Sequence, residues 1–264
     1  MTEQSLQILG VPLNGTNLAE VLEKIRVAIK NEAKLVIFTP NPEFLVLASR
    51  NPAFKNLLNQ SDINIPDGIG LIWASKFLKT KPLLKNRVAG VDLVSEIFQK
   101  GQESGWKIGV VGNRRGDIKE ATKQIEILRQ KFSNLQIANY QENERYDLIL
   151  ACQGMGEQER WVIDKQSLLL CSKQSLLLCS KQSLSLRDNG NKVMAKVFVG
   201  IGGSLDLISE FTKRAPRLIR EIGLEWLWRL VHNPKKHFAR VVNAIIVFPW
   251  LVIREKLKTM ANGK

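Results

Sequence analysis

Cysteine is scarce in this chain: three in 264 residues, at Cys152, Cys171 and Cys179. So sparse and odd a set makes no disulfide framework and points to a reducing compartment. Histidine is scarcer, with only His232 and His237. Five residues apart, they are poorly spaced for one helix face. There is no Asp-x-Asp pair, so no resident metal is expected. The glycine turns match neither the GxGxxG fingerprint with a ribose-binding acid nor GxxxxGK[ST], which disfavours a nicotinamide dehydrogenase and a P-loop NTPase. No basic, apolar, small-residue leader opens the chain, so secretion is not expected. The longest apolar run, Val241 to Ile253, includes Asn243 and Pro249. It falls short of the roughly 20 residues of a spanning helix. On this reading an integral membrane protein is excluded and a peripheral one is not.

What is present is a chain able to bury a core, 44% hydrophobic and 24% charged, with a net charge of +14. One or two domains are expected. The positive excess calls for an anionic partner: nucleic acid, a membrane surface or a phosphorylated substrate. It is concentrated at the end of the chain. Residues 213–264 carry 12 Lys+Arg against 3 Asp+Glu, a net +9, together with Trp226, Trp228 and Trp250. Such a segment reads as an interfacial helix pair, with aromatics at headgroup depth and cations reaching phosphates. Its alternative is an ordinary packed helix with a solvated basic face. Nucleic acid is the competing anion, but no zinc-finger or aromatic RNA-binding signature accompanies the charge.

Up to about residue 210, apolar β-rich runs alternate with helical patterns. Lys34–Thr39, Trp106–Gly112, Tyr146–Cys152 and Val193–Gly200 read as buried parallel strands. Helices are expected over Asn17–Lys30, Pro42–Gln60, Ile69–Leu78, Asp92–Lys100 and Asp117–Phe132. The alternation implies an α/β doubly wound, Rossmann-like sheet with a basic, amphipathic C-terminal helical appendage. The expected division is 1–212 for the α/β domain and 213–264 for the appendage. KQSLLLCS occurs at Lys165–Ser172 and again at Lys173–Ser180, followed by the near-copy Lys181–Asp188. This duplication over 165–188 reads as an inserted surface loop or a helix extension.

Ligands of such sheets bind beyond the carboxyl ends of strands. There the chain carries Thr39-Pro40-Asn41-Pro42-Glu43, in which Thr39 and Asn41 are either turn-and-cap residues or pocket residues. Asp67, in Ile65-Pro66-Asp67-Gly68, is either a helix N-cap or a general base able to accept a hydroxyl proton. Two glycine turns, Gly154-Met155-Gly156 ahead of Gln158 and Glu159, and Gly200-Ile201-Gly202-Gly203-Ser204, let backbone N–H groups face a phosphate.

Taken in order, TPNPEF, IPDGIG, RVAGVDLV, GEQERW, GIGGSLDL and RAPRLIREIGLEWLWRL resemble the WecG/TagA/CpsF glycosyltransferases over about residues 7–250. The resemblance implies inverting transfer of an N-acetylmannosamine-type sugar from a UDP donor to a polyprenyl-diphosphate-linked N-acetylglucosamine, in cell-surface polysaccharide synthesis. It implies a cytoplasmic enzyme, peripheral on the inner face of the cell membrane, whose C-terminal appendage helps complete the active site. By motif, Asp67 matches the proposed base, Thr39 and Asn41 match pocket residues, and Arg229 matches the arginine after Gly-Leu-Glu-Trp. Lys236 and Arg240 fall near basic family positions. Gln158 falls on the glutamine of a Pro-Lys-Gln-Glu motif that here reads Gly-Glu-Gln-Glu, and Asn139–Tyr146 is shorter than usual. With no cofactor expected, Arg229, Lys236 and Arg240 are the natural stabilisers of a departing diphosphate. Gln158, Glu159, Gly202 and Gly203 are expected on the substrate-binding side. The competing readings are a catalytically weakened sugar-nucleotide-binding protein and a nucleic-acid binder. A homo-oligomer stays open.

Overall fold

A computed structural model of the chain describes residues 5–142, 144–171, 195–216, 218–219, 223 and 225–262. It opens on an antiparallel hairpin, β1 (Ser5–Ile8) and β2 (Val11–Asn14). Its two-residue turn places Leu9 and Gly10 at φ 53° and 73°. Positive φ at both centres matches the twist of the flanking strands. This hairpin has no counterpart among the expected strands.

Six strands then form one parallel sheet: β3 (Leu35–Phe38), β4 (Ile63–Asn64), β5 (Lys107–Val111), β6 (Gln136–Asn139), β7 (Leu148–Ala151) and β8 (Val197–Gly200), in the order β4-β3-β8-β7-β5-β6. The four strands expected as apolar runs are the four central ones, covered on both faces. Of the two edges, β4 has only two residues, and β6 buries one position in four. The connection from β5 runs outward to β6, whereas that from β7 runs the other way to β8. The crevice where connections diverge therefore lies at the carboxyl ends of β5 and β7.

Helices cover both faces, as the doubly wound expectation requires. One core packs α1 (Leu18–Lys30), α5 (Gly90–Ser104) and α6 (Ile118–Lys131) on the sheet through Ile25, Phe98 and Leu128. The other takes in α2 (Pro42–Arg50), α3 (Pro52–Asn59), α4 (Ile69–Leu78) and α7 (Glu157–Cys171). Asn17 and Asp117 cap α1 and α6 as their sequence signals indicate. Two of the expected helices differ in extent. The stretch Pro42–Gln60 is two helices, because Pro52 supplies no N–H and Asn51 turns extended to cap α3. The helix expected over Asp92–Lys100 runs further at both ends, stopping where Gly105 takes a left-handed conformation. The first octapeptide copy continues α7 to Cys171, so it is helix extension there. The rest of the 165–188 insertion lies outside the described residues.

After α8 (Ser204–Ile208), the appendage carries α9 (Glu225–His232), α10 (Pro234–Val242) and α11 (Phe248–Asn262). A π-helical turn at Asn243–Val247 joins the last two into one rod. Pro249 explains that turn: its ring would clash with the carbonyl four residues earlier, and a widened turn relieves the clash. The rod corrects one expectation. The helix His237–Ala261 has 25 residues, and an 18-residue stretch of it has a mean hydropathy of 1.4, long and apolar enough by length and composition to cross a membrane. The apolar run is bounded by Arg240 and Arg254, whereas the helix continues past both. Yet one side of the rod is docked. Phe248 and Val252 are fully buried in the second core, and Leu9 N donates to Glu255 Oε1 at 3.0 Å.

Candidate active site

The carboxyl ends of β3 and β8 are tied by a side chain: Thr39 Oγ1 donates to Gly200 O at 3.0 Å. Asp67 arrives beside them from the β4 end, its N–H held by Pro40 O at 2.9 Å. It does not cap α4. The cap position is Gly68, at φ 139°, with no side-chain cap bond. The Asp67 carboxylate instead accepts from Gly90 N, the first N–H of α5, at 3.2 Å, so Asp67 does not cap the helix it precedes. A Cβ on Gly90 would lie 3.2 Å from Ser204 Oγ and 3.6 Å from both Asp67 Oδ2 and Thr39 Oγ1. Three polar groups thus converge on a position where any side chain would crowd them. Asn41 caps α2, its oxygen accepting from Glu43 N at 2.9 Å and Phe44 N at 3.2 Å. The cap reading of Asn41 holds, and the residue also faces the cavity described next.

Above Asp67 lies a cavity of about 240 Å³. Its floor is Asn41, Glu43, Asp67 and Arg87, and its cover is Trp226, His237, Arg240, Val241, Ala244 and Ile245 of the appendage. Arg240 Nε lies 2.7 Å from Glu43 Oε2. Glu43 sits in the first turn of α2, where a carboxylate is favoured by the helix dipole. Arg229 and Lys236 belong to α9 and α10; their side chains lie outside the described residues. Four charged or titratable residues of the cavity are not among the candidates read from the sequence: Glu43, Arg87, Glu225 and His237. Glu43 stood inside the quoted TPNPEF and Arg87 opened RVAGVDLV. In the sequence His237 bears only on metal spacing.

The glycine turns lie one strand over, around the divergent crevice. The turns after β5 and β7 touch so closely that a Cβ on Gly112 would sit 2.0 Å from Gln153 Cγ. Gly154, Gly156 and Gly202 hold positive φ with open space before them, so a ligand can approach their backbone. Gln158 and Glu159 brace these turns from behind, both fully buried. Gly202 N donates to Gln158 Oε1 at 3.0 Å, Gln158 Nε2 donates to Glu159 Oε1 at 2.5 Å, and Gly156 N donates to Glu159 Oε2 at 2.6 Å. Burial pushes the Glu159 carboxyl up to about 7, against the opposing pull of those donors. Gln158 and Glu159, expected on the substrate-binding side, are thus placed to act through the loops they hold. Gly202 and Gly203 lie at the open front. Among the described residues, no three His, Cys, Asp or Glu side chains gather at metal-ligand spacing.

A carboxylate thus stands at the foot of a cavity roofed by the C-terminal helices, next to glycine turns at a strand crevice. The model of the glycosyl transferase WecG/TagA/CpsF family matches residues 6–174 and 177–262. The chain belongs to that family. It is a glycosyltransferase. Its relatives include an N-acetylglucosaminyldiphosphoundecaprenol N-acetyl-beta-D-mannosaminyltransferase of Staphylococcus aureus strain MRSA252. That protein is 26% identical over 269 residues, covering 96% of this chain and 94% of the relative. Proteins of the same name in strains MW2 and NCTC 8325 / PS 47 are 25% identical with the same coverage. For this glycosyltransferase, family membership covers both the sheet and the basic helices that roof the cavity.

Proposed function

We propose that this glycosyltransferase moves an N-acetylmannosamine-type sugar from a UDP donor to a polyprenyl-diphosphate-linked N-acetylglucosamine, with inversion, at the cytoplasmic face of the membrane. The product feeds cell-surface polysaccharide synthesis. The observation that carries the reading is Asp67 at the foot of the cavity roofed by the basic appendage. The names of the relatives supply the sugar and the acceptor.

In the reaction, the acceptor hydroxyl oxygen attacks the anomeric carbon from the face opposite the departing nucleotide. Asp67 takes the hydroxyl proton as the new glycosidic bond forms, and the bond from the anomeric carbon to the β-phosphate oxygen breaks. Single displacement inverts the anomeric centre. The electron pair leaves with UDP, whose added charge needs compensation in a site poor in water. Arg240 and Arg87 stand at that cavity, and Arg229 and Lys236 are assigned to the same task. The turns at Gly154–Gly156 and Gly202–Gly203, braced by Gln158 and Glu159, suit the nucleotide's phosphates. Thr39 ties the ends of β3 and β8 together beside the base, and Asn41 starts α2 at the edge of the cavity.

The test is to mix the purified chain with UDP-N-acetylmannosamine and a polyprenyl-diphosphate-linked N-acetylglucosamine, following UDP release and the lipid-linked disaccharide. Formation of a β-linked disaccharide is expected. Tight UDP binding without any transfer would sink the enzyme reading in favour of a sugar-nucleotide-binding protein.

A further inference from the structure

The docked side of the C-terminal rod packs along α4, and the two helices run side by side in the same direction. Near the start of α4, a Cβ on Gly70 would meet Phe248 Cε1 at 3.8 Å. Near its end, Lys256 Nζ donates to Phe77 O at 2.7 Å and lies 4.1 Å from the centre of the Phe77 ring. Seven residues on one helix therefore match eight on the other. Among the described residues, the outer stripes of both helices are left uncovered. On the rod these are Ile246, Trp250, Ile253 and Leu257, spaced as one helical face, with Trp250 57% exposed. On α4 they are Ile69, Trp73 and Lys76, again one face, with Trp73 41% exposed and stacked on Phe77 at 5.2 Å between centroids. Ile69 and Ile245 edge the active-site cavity, so this apolar double stripe starts at its mouth.

At the far end of α4, about 15 Å away by helical rise, Lys76, Lys79 and Lys81 gather with Thr80 and Leu83 around a second cavity of about 330 Å³. None of the three lysines forms an ion pair among the described residues. The structure assigns this double stripe, together with the lysine cluster, as a bilayer-docking platform in which Lys76, Lys79 and Lys81 hold the headgroup phosphates of anionic phospholipid. The assignment deepens the proposed function and rests on its reading of a membrane-borne acceptor. It adds α4 of the α/β domain to the membrane-facing surface. The composition favours lipid over a protein partner. Protein interfaces are poor in lysine, whereas here exposed tryptophans alternate with Lys76, Lys79, Lys81, Arg254 and Lys258, the pattern of an interfacial surface. Seated this way, the cavity mouth opens at the headgroups, where a polyprenyl diphosphate presents its sugar.

The experiment is co-sedimentation of the full chain, without substrates, on vesicles of phosphatidylcholine mixed with phosphatidylglycerol. The variant is Lys76→Ala with Lys79→Ala and Lys81→Ala. A charge-matched control, Lys30→Ala with Lys119→Ala and Lys123→Ala, removes exposed lysines of α1 and α6 on the opposite face of the sheet. The cluster variant should lose on the order of 100-fold in partition coefficient, and the control should change little. The thermal midpoint of the cluster variant should match the parent's, since all three side chains are exposed. Equal losses in both variants would reduce the effect to net charge and overturn the site. Inorganic phosphate that displaces the chain from vesicles better than chloride at equal ionic strength would also overturn it, as a site for soluble anions. Because no substrate is present, failure of the transferase reading leaves this readout intact. A chain that transfers sugar but ignores the vesicles would refute the platform alone.

Discussion

Arg240 and Glu43, 197 residues apart, meet at 2.7 Å across the mouth of the cavity. This contact joins the roof of the site to the first turn of the helix that follows β3. The Glu43 side chain is only 12% exposed and that of Arg240 43%, so the carboxylate is the fixed partner and the guanidinium the one it steers. Replacing Arg240 with alanine should lower kcat by about 10²-fold, the scale of losing one fixed stabiliser of transition-state charge. Glu43→Gln should cost less, because the cation remains and only its aim is lost. The two changes should not add, since both act through one guanidinium. Additive losses in steady-state kinetics would separate Glu43 from Arg240. Stability should hardly move in either variant, as half-exposed pairs contribute at most about 1 kcal/mol.

Asp67→Asn should abolish turnover while sparing the fold and UDP binding. The amide oxygen keeps the acceptor that Gly90 N uses, while the negative charge and the ability to take a proton are lost. A general base contributes on the order of 10²–10⁴-fold. Single-turnover transfer close to the parent rate would remove Asp67 from the chemistry and leave it as a brace for the start of α5.

Much of this site was legible because strand mouths can be read from apolar runs. KLVIF, GVV, LILA and VFVG are the four central strands, and the polar residues just after them, from Thr39 to Gly202, line the functional edge. Edge elements were harder. Gln136–Asn139 has one buried position in four, too little alternation to stand out from a loop. The turn at Leu9-Gly10 lacks the Asn-Gly signature of a tight hairpin. The roles of Glu43 and Arg87 depend on which distant helix closes over them, and nothing in the spacing of TPNPEF indicates that Arg240 will arrive. The same holds for Gln158 and Glu159. Their motif was visible, but their burial behind the glycine turns is a tertiary fact.

That burial gives Glu159 a pH signature. Its carboxyl titrates at about 7 in the folded chain, against about 4.3 when unfolded. Between those values the folded state holds the extra proton, so stability is greatest below about pH 4 in this term and falls as pH rises toward 7. The full penalty is on the order of 3 kcal/mol. Glu159→Gln should flatten the thermal midpoint across pH 5 to 8 relative to the parent. Parallel midpoint curves for the two proteins would show that Glu159 is ionised throughout that range. The substitution should also weaken UDP binding, because the bonds that set Gly156 and Gly202 pass through this carboxylate and its neighbour.

The two sides of the C-terminal rod should be separable by single substitutions. Phe248 is fully buried in the second core, beside Gly70 at the start of α4. Truncating it opens a cavity in packed surroundings, with an expected cost of about 3–5 kcal/mol. Phe248→Ala should therefore lower the thermal midpoint, loosen the roof over Asp67 and reduce transfer even on a water-soluble acceptor. Trp250 lies two residues on, on the opposite side, 57% exposed, with the Arg254 guanidinium 5.5 Å from its ring centre. Trp250→Ala removes an aromatic that packs on little of the protein, so stability should shift by less than about 1 kcal/mol. If the outer stripe meets lipid, the same change should weaken vesicle binding and slow transfer to a long-chain polyprenyl acceptor more than to a soluble one. The measurement pairs thermal unfolding with vesicle co-sedimentation for both variants. Equal unfolding losses in Phe248→Ala and Trp250→Ala, with vesicle binding untouched in the latter, would mean that the whole rod is structural and that the membrane is reached by another surface.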